Sequence, residues 1–269
     1  MISEGLVTEG RCPVDGGELY VSSTGDGPPL LMISGGIGAA DDYRALVKQF
    51  SDEYTVVTYD RRGHFRSTDH TEGPISVRRH AEDAFAVIEY IDAGEATVFG
   101  TSAGAQIGLE LAVRHPEALV ELVAHEPPAV RLMPDADRWL AEAAEQVSLA
   151  RSGDLLGAFT LFASQIAGAG LPGLRTVRLS NKQEWAFLFD REVTSFLGYL
   201  PDLAALRKSR VDITPIAGVG SRGRYHYQPA KILALELGLP FVEVPGNHLA
   251  PQRNPAQFAE ALRGLFLEP

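Results

Sequence analysis

The stretch Ala96-Thr97-Val98-Phe99-Gly100-Thr101-Ser102-Ala103-Gly104-Ala105-Gln106 decides how the rest of the chain is read. A run of β-branched and aromatic residues ends in Gly100. Gly-x-Ser-x-Gly follows, and then Ile107, Leu109, Leu111, Ala112 and Val113 continue as a helix. Strand, tight turn, helix is the context in which this pattern makes a nucleophile elbow. A serine at the tip of so sharp a turn carries strained backbone angles, and its neighbours crowd the adjacent strand and helix. Glycine at 100 and 104 removes the Cβ atoms that would collide there. Ser102 is thereby lifted above the sheet edge, and the Ala103 N–H lies at a helix N-terminus, ready to stabilise an oxyanion. The plain alternative is a Gly-rich strand-to-helix turn with no chemistry, and the surrounding chain weighs against it.

On the N-terminal side, a short alternating strand at 18–22, expected at a sheet edge, is followed by a continuous apolar strand at 30–33 running into Ser34-Gly35-Gly36-Ile37-Gly38. A helix is expected over 41–50, a strand over 54–59 ending in Asp60-Arg61-Arg62-Gly63-His64, and a helix over 76–91. Beyond the elbow, the helix stops at His115-Pro116 and a strand over 118–124 ends at His125-Glu126-Pro127-Pro128. Alternation resumes with a strand at 213–218, a helix at 228–237, a strand at 241–244, the turn Pro245-Gly246-Asn247-His248 and a closing helix at 255–267. Strands alternating with amphipathic helices mean a mostly parallel sheet wrapped by helices. Between these halves the rhythm breaks into helical patterns at 139–150, 155–166 and 181–199, with no convincing strand. The domain reading is therefore a core of 1–130 and 210–269, with 131–209 as a helical cap or lid.

The chain has 269 residues, a formal net charge of −11 and no basic stripe, which excludes nucleic acid as an expected partner. Met1 to Gly5 lacks a basic, apolar leader, so no signal peptide and no membrane span are expected. The single Cys12 cannot form an internal disulfide, which fits a cytoplasmic location. No metal constellation and no P-loop lysine are visible, so neither metal nor cofactor is expected. A small molecule is the expected partner, and the oligomeric state is left open, a homodimer among the options.

Four motifs in order, the Gly-rich turn at 34–38, Asp60-Arg61-Arg62-Gly63, the elbow, and Pro245-Gly246-Asn247-His248, resemble the α/β-hydrolase superfamily over nearly the whole chain. That resemblance implies an α/β-hydrolase fold: a mostly parallel eight-stranded sheet, helices on both faces and a helical cap insertion. A serine hydroxyl needs a base within reach. His248, between the last strand and the last helix, is the candidate; His64, His70, His80, His115 and His226 have no such placement. Most superfamily members carry the triad acid after the strand equivalent to 213–218, but no Asp or Glu occurs from Ile213 to Leu235. Either the triad is incomplete or another strand end supplies the acid. Glu126, at the end of the strand after the elbow helix, fits the second case, and some haloalkane dehalogenase relatives place their acid there. Glu243 is the weaker rival because it lies mid-strand, and His125 should point away from Glu126 by alternation.

By resemblance to His-Gly-x loops, Gly36 takes the second oxyanion-donor place beside Ala103, with Ile37 as fallback and Ser34 where histidine is usual. Serine rather than a carboxylate at the elbow excludes dehalogenase and epoxide-hydrolase chemistry and points to an ester, thioester or lactone. Many aromatics crowd 159–199; most should form the lid's own core, with Phe162, Trp185 and Phe189, together with Ile37, offered as pocket residues. The leading expectation is a carboxylesterase-like serine hydrolase of a moderately hydrophobic small molecule. The alternatives are a cofactor-free lyase, cyclase or perhydrolase-like enzyme of small-molecule metabolism and, further off, a non-enzymatic ligand receptor.

Overall fold

The apolar runs pair as strands β1 (Val7–Val14), β2 (Gly17–Thr24), β3 (Pro29–Ile33), β4 (Thr55–Tyr59), β5 (Ala96–Thr101), β6 (Leu119–His125), β7 (Asp212–Gly218) and β8 (Val242–Val244). They form one eight-stranded sheet in the order β1-β2-β4-β3-β5-β6-β7-β8 in a computed structural model that describes residues 7–167 and 180–266. β2 pairs antiparallel with both β1 and β4, and every other pair is parallel. The central strands β3 and β5 are apolar and buried throughout apart from Pro29 and the partly polar Thr97 and Thr101, as strands covered on both faces require.

Helices α1 (Arg44–Phe50), α2 (Val77–Tyr90), α3 (Ala103–Arg114), α4 (Ala136–Arg151), α5 (Leu155–Ala167), α6 (Lys182–Phe187), α7 (Val193–Gly198), α8 (Leu203–Leu206), α9 (Tyr227–Leu237), α10 (Ala250–Arg253) and α11 (Pro255–Arg263) complete the described chain. Two apolar cores follow from the two sheet faces. Ala84, Ile88, Ile107 and Leu111 of α2 and α3 pack with Leu31, Val57 and Val98 on one face. Leu46, Phe50, Phe258 and Leu262 of α1 and α11 pack with Leu30, Met32 and Phe99 on the other. The insertion between β6 and β7 has an apolar cluster of its own around Ala143, Ala158, Phe189 and Val193. Among the described residues no helix is long and apolar enough to cross a membrane.

Three expectations need correction. The strand at 18–22 is longer and is not the edge: β1 lies outside it. β1 exposes most of its residues, so the apolar alternation that marks a half-buried strand is missing. The single helix over 181–199 is instead α6, a π-helical turn Leu188–Glu192 and α7. The closing helix ends at Arg263, and position 267 lies outside the described residues.

Candidate active site

Ser102 stands one residue past β5 with φ 55° and ψ −124°, conformations that L-residues other than glycine rarely hold. A Cβ on Gly100 would lie 2.4 Å from the Gly104 carbonyl oxygen, and one on Gly104 would lie 2.0 Å from that of Ile33. Both glycines are therefore required by backbone contact. The Ser102 N–H donates to the His125 carbonyl at 2.9 Å, tying the elbow to the end of β6.

Glu126 is the first residue beyond β6, also left-handed at φ 49°. Its N–H donates to Ile216 O at 3.0 Å, and the turn swings its side chain across β7. Oε1 accepts from the Gly218 N–H at 2.8 Å, and Oε2 accepts from His248 Nδ1 at 2.6 Å. The pair is buried, with Glu126 at 0% exposure and His248 at 7%. Burial alone would push the Glu126 carboxyl up; the neighbouring imidazoles, His125 first, and the His248 hydrogen bond outweigh it and hold it well below the usual carboxylate range. A hydrogen bond from Nδ1–H to Glu126 leaves Nε2 of His248 as the basic nitrogen.

The loop after β7, empty of carboxylates, has a different part here. A Cβ on Gly218 would lie 2.5 Å from Gly246 O, and Gly220 N–H donates to the same oxygen at 2.7 Å. Glycine lets the end of β7 press against the turn that carries His248. Glu243, the rival acid, is exposed and engaged elsewhere, by Arg222 Nε at 2.6 Å and Tyr227 OH at 2.8 Å.

Two histidines depart from expectation. His125 was expected to point away from Glu126, yet its Nε2 lies 3.8 Å from Glu126 Oε1. Alternation ends with the strand at His125, and the left-handed Glu126 breaks it. His125 Nδ1 shares a hydrogen bond of 2.6 Å with Thr101 Oγ1, and burial pushes its pKa down to about 4. His226, set aside as a loop residue, brings Nε2 to 3.2 Å from Glu126 Oε2 and 3.3 Å from Ser221 Oγ. Only its place in the loop where the acid was missing could have marked it. Ligand atoms of Glu126, His226 and His248 lie within 4.8 Å of one another and could reach a cation, but the 2.6 Å pairing of two of them suits a carboxylate that orients an imidazole.

Gly36, Ser102 and Ala103 line one cavity of about 30 Å³, closed by Phe162, Leu188 and Phe196 among others. Gly36 has φ +50° with open space where its Cβ would be. Of the other expected pocket residues, Trp185 and Phe189 are absent from the cavity lining. Trp185 packs edge-on to Phe162 at 5.4 Å and Phe189 lies 6.1 Å from it, both inside the insertion's own core. Ile37 is buried and does not line the cavity. The Ser34 hydroxyl, where histidine is usual, is buried with no hydrogen-bond partner among the described residues.

Arg61 braces this loop: Nη1 donates to Ser34 O at 3.2 Å and Gly35 O at 3.3 Å, and Nη2 to Gly36 O at 2.8 Å. Glu192 of the insertion accepts from Arg61 Nη2 at 2.7 Å, and His64 Nε2 lies 2.9 Å from the same carboxylate oxygen. His64 Nδ1 meets Glu184 at 2.9 Å, so both ring nitrogens face carboxylates. Burial opposes the charged ring, but Glu192 and Glu184 prevail and raise the His64 pKa.

These histidines set a pH dependence with two opposed windows. His64, raised, adds stability that is full below about pH 6.5 and lost as pH rises through its folded value. His125, depressed to about 4, and His226, depressed by burial, add stability above about 6.5 that is lost as pH falls toward 4. The urea midpoint should therefore peak near pH 6–7 and fall by pH 5, His125 accounting for about 2 kcal/mol of the loss by then. A midpoint that is flat from pH 7 to 5 would contradict the neutral, buried state of both rings.

The sheet order and the glycine-flanked serine turn are those of the α/β-hydrolase class. The chain belongs to the alpha/beta hydrolase fold family, whose model matches residues 28–199. It is 31% identical over 97% of its length to the uncharacterized hydrolase YraK of Bacillus subtilis strain 168, covering 96% of that protein. Among solved structures it is similar to a thermophilic esterase from Thermogutta terrifontis, with TM-score 0.76, 16% identity, and 96% and 97% of the two chains covered. It is likewise similar to the enol-lactonase of Burkholderia xenovorans LB400, with TM-score 0.73, 18% identity, and 95% and 98% covered.

Proposed function

We propose that the chain is a serine hydrolase cleaving an ester, thioester or lactone of a small, moderately hydrophobic molecule, with the insertion as the cap over its site. The observation that carries this reading is the 2.6 Å hydrogen bond between Glu126 Oε2 and His248 Nδ1, at strand ends beside the strained Ser102. His248 Nε2 takes the Ser102 proton as Oγ attacks the carbonyl carbon. The N–H groups of Gly36 and Ala103 receive the oxyanion. Collapse expels the alcohol, thiol or ring oxygen with the proton returned by His248, and water then repeats the sequence on the acyl-enzyme. Glu126 stays ionised throughout, orienting the ring and stabilising the imidazolium.

A small aryl ester and an organophosphonate test the reading. Turnover of the ester, with one phosphonyl group mapped to Ser102 by mass spectrometry, is the expected result; absence of both would remove it. Product analysis showing elimination or cyclisation in place of water addition would move the chain to the lyase or cyclase reading.

Cavity size adds a prediction about acyl length. At about 30 Å³ the cavity is far smaller than the roughly 150 Å³ that accommodates a benzene ring, so a long acyl chain cannot enter it without displacing its walls. Since one misplaced methylene is worth about tenfold or more, kcat/KM should fall at least about tenfold from the butyryl to the octanoyl aryl ester. A rate that climbs steadily to octanoyl would show that the cavity does not set acyl preference.

A further inference from the structure

The guanidinium that braces the oxyanion loop is itself held from the opposite side by the insertion, and the triad chemistry makes no use of that contact. Arg61 is 1% exposed and Glu192 0%. Arg61 divides its donors between three loop carbonyls, at 2.8–3.3 Å, and the Glu192 carboxylate, at 2.7 Å from Nη2 and 3.4 Å from Nε. A trans peptide is planar, with its C=O and N–H opposed. Drawing the Ser34, Gly35 and Gly36 carbonyls onto one cation therefore turns the N–H groups of Gly35, Gly36 and Ile37 the other way. The middle one of these is the proposed oxyanion donor.

Glu192 reaches Arg61 because it closes the π-helical turn Leu188–Glu192, which buries Leu188, Phe189 and Glu192 together. Single π turns inside α-helices recur at functional sites. The stretch 188–197, which begins with that turn, lines the cavity with Leu188, Val193, Phe196 and Leu197. It is pinned to the core by Gln106 Nε2 donating to Phe196 O at 3.0 Å and by the Arg61 guanidinium over the Phe196 ring at 5.3 Å. His64 Nε2, at 2.9 Å from Oε2, holds the same carboxylate from a further side.

We propose that Arg61 and Glu192 act as a positioning pair: the insertion's buried carboxylate holds the guanidinium whose fork aims the oxyanion-loop amides at the reacting carbonyl. The pair touches no substrate. It rests on the serine-hydrolase reading above, and links the insertion to the rate of the chemical step as well as to substrate fit.

Arg61→Lys is the decisive variant, because lysine keeps the charge but not the planar fork that serves three carbonyls and a carboxylate at once. Misplacement of a catalytic group by about 1 Å can cost about 10² in rate. In Arg61→Lys and Glu192→Gln, kcat for a short aryl ester and the rate of phosphonylation at Ser102 should both fall about 10- to 100-fold, with KM within threefold. Glu192→Asp, which retains the charge and retracts it by one methylene, replaces Glu192→Gln where the latter does not fold. Arg191→Gln serves as the control. Arg191 ties the same segment to Asp69 at 3.0 Å and to Thr71 O at 3.0 Å without touching the oxyanion loop. It should lower thermal stability yet keep kcat per folded molecule within threefold. Unchanged kcat and phosphonylation in Arg61→Lys would overturn the pair, as would an equal loss in Arg191→Gln. Wild-type protein that never labels at Ser102 would instead overturn the hydrolase reading.

Discussion

Ser102→Ala is expected to lower kcat for an aryl ester by about 10⁶, to the level that the oxyanion site and binding sustain without a nucleophile. The size follows from what is removed. Without Oγ there is no acyl-enzyme, and His248 can only assist water from a position arranged for serine. The fold should not suffer, because alanine at φ 55° is strained no more than serine is. Unchanged circular dichroism with a melting temperature within a few degrees would confirm that comparison. Ser102→Gly supplies the complementary readout: equally inactive, and more stable than wild type by about 1 kcal/mol as the left-handed strain is relieved. More than a tenth of wild-type activity in Ser102→Ala would take the elbow out of the mechanism.

Glu126→Gln should reduce kcat by about 10⁴. Its Oε1 could still accept from Gly218 N–H, now at 2.8 Å, but an amide NH₂ would then face His248. Nδ1 would have to become the acceptor and Nε2 would carry the proton, the wrong tautomer for taking one from Ser102. The same NH₂ would meet His226 Nε2, now 3.2 Å from Oε2, and would draw that nitrogen too into the acceptor role. KM should move little, because Glu126 does not reach the substrate. The measurement is the pH profile of kcat/KM in both forms. A loss under threefold would mean that another group orients His248.

How much of this was legible beforehand differs by residue. Ser102, Gly100 and Gly104 were readable because the collision that forces glycine is local, within a few residues of the elbow. His248 was readable from its place between the last strand and last helix. Glu126 was reached by elimination from the loop that lacks a carboxylate. Its left-handed backbone, the reason it meets His248 rather than the opposite sheet face, has no sequence mark. The same unmarked turn misplaced His125. Arg61 belongs to the readable motif Asp60-Arg61-Arg62-Gly63. Its partner Glu192 is 131 positions away on a helix whose π turn no periodicity announces. Trp185 and Phe189 show the converse limit: an aromatic at helical spacing reads the same whether it faces a ligand or a neighbouring ring.

The glycine at the end of β7 has a consequence for how freely such a triad can be rebuilt. Shifting the negative charge one strand over, to the place usual among α/β hydrolases, is more than an exchange of two side chains. Any residue larger than glycine at 218 drives its first carbon into the Gly246 carbonyl, 2.5 Å away, and displaces the very turn that presents His248. A carboxylate moved to this strand end would therefore have to enter beyond Gly218 and step around Gly220, at 219 or 221, or else force the histidine loop to retreat.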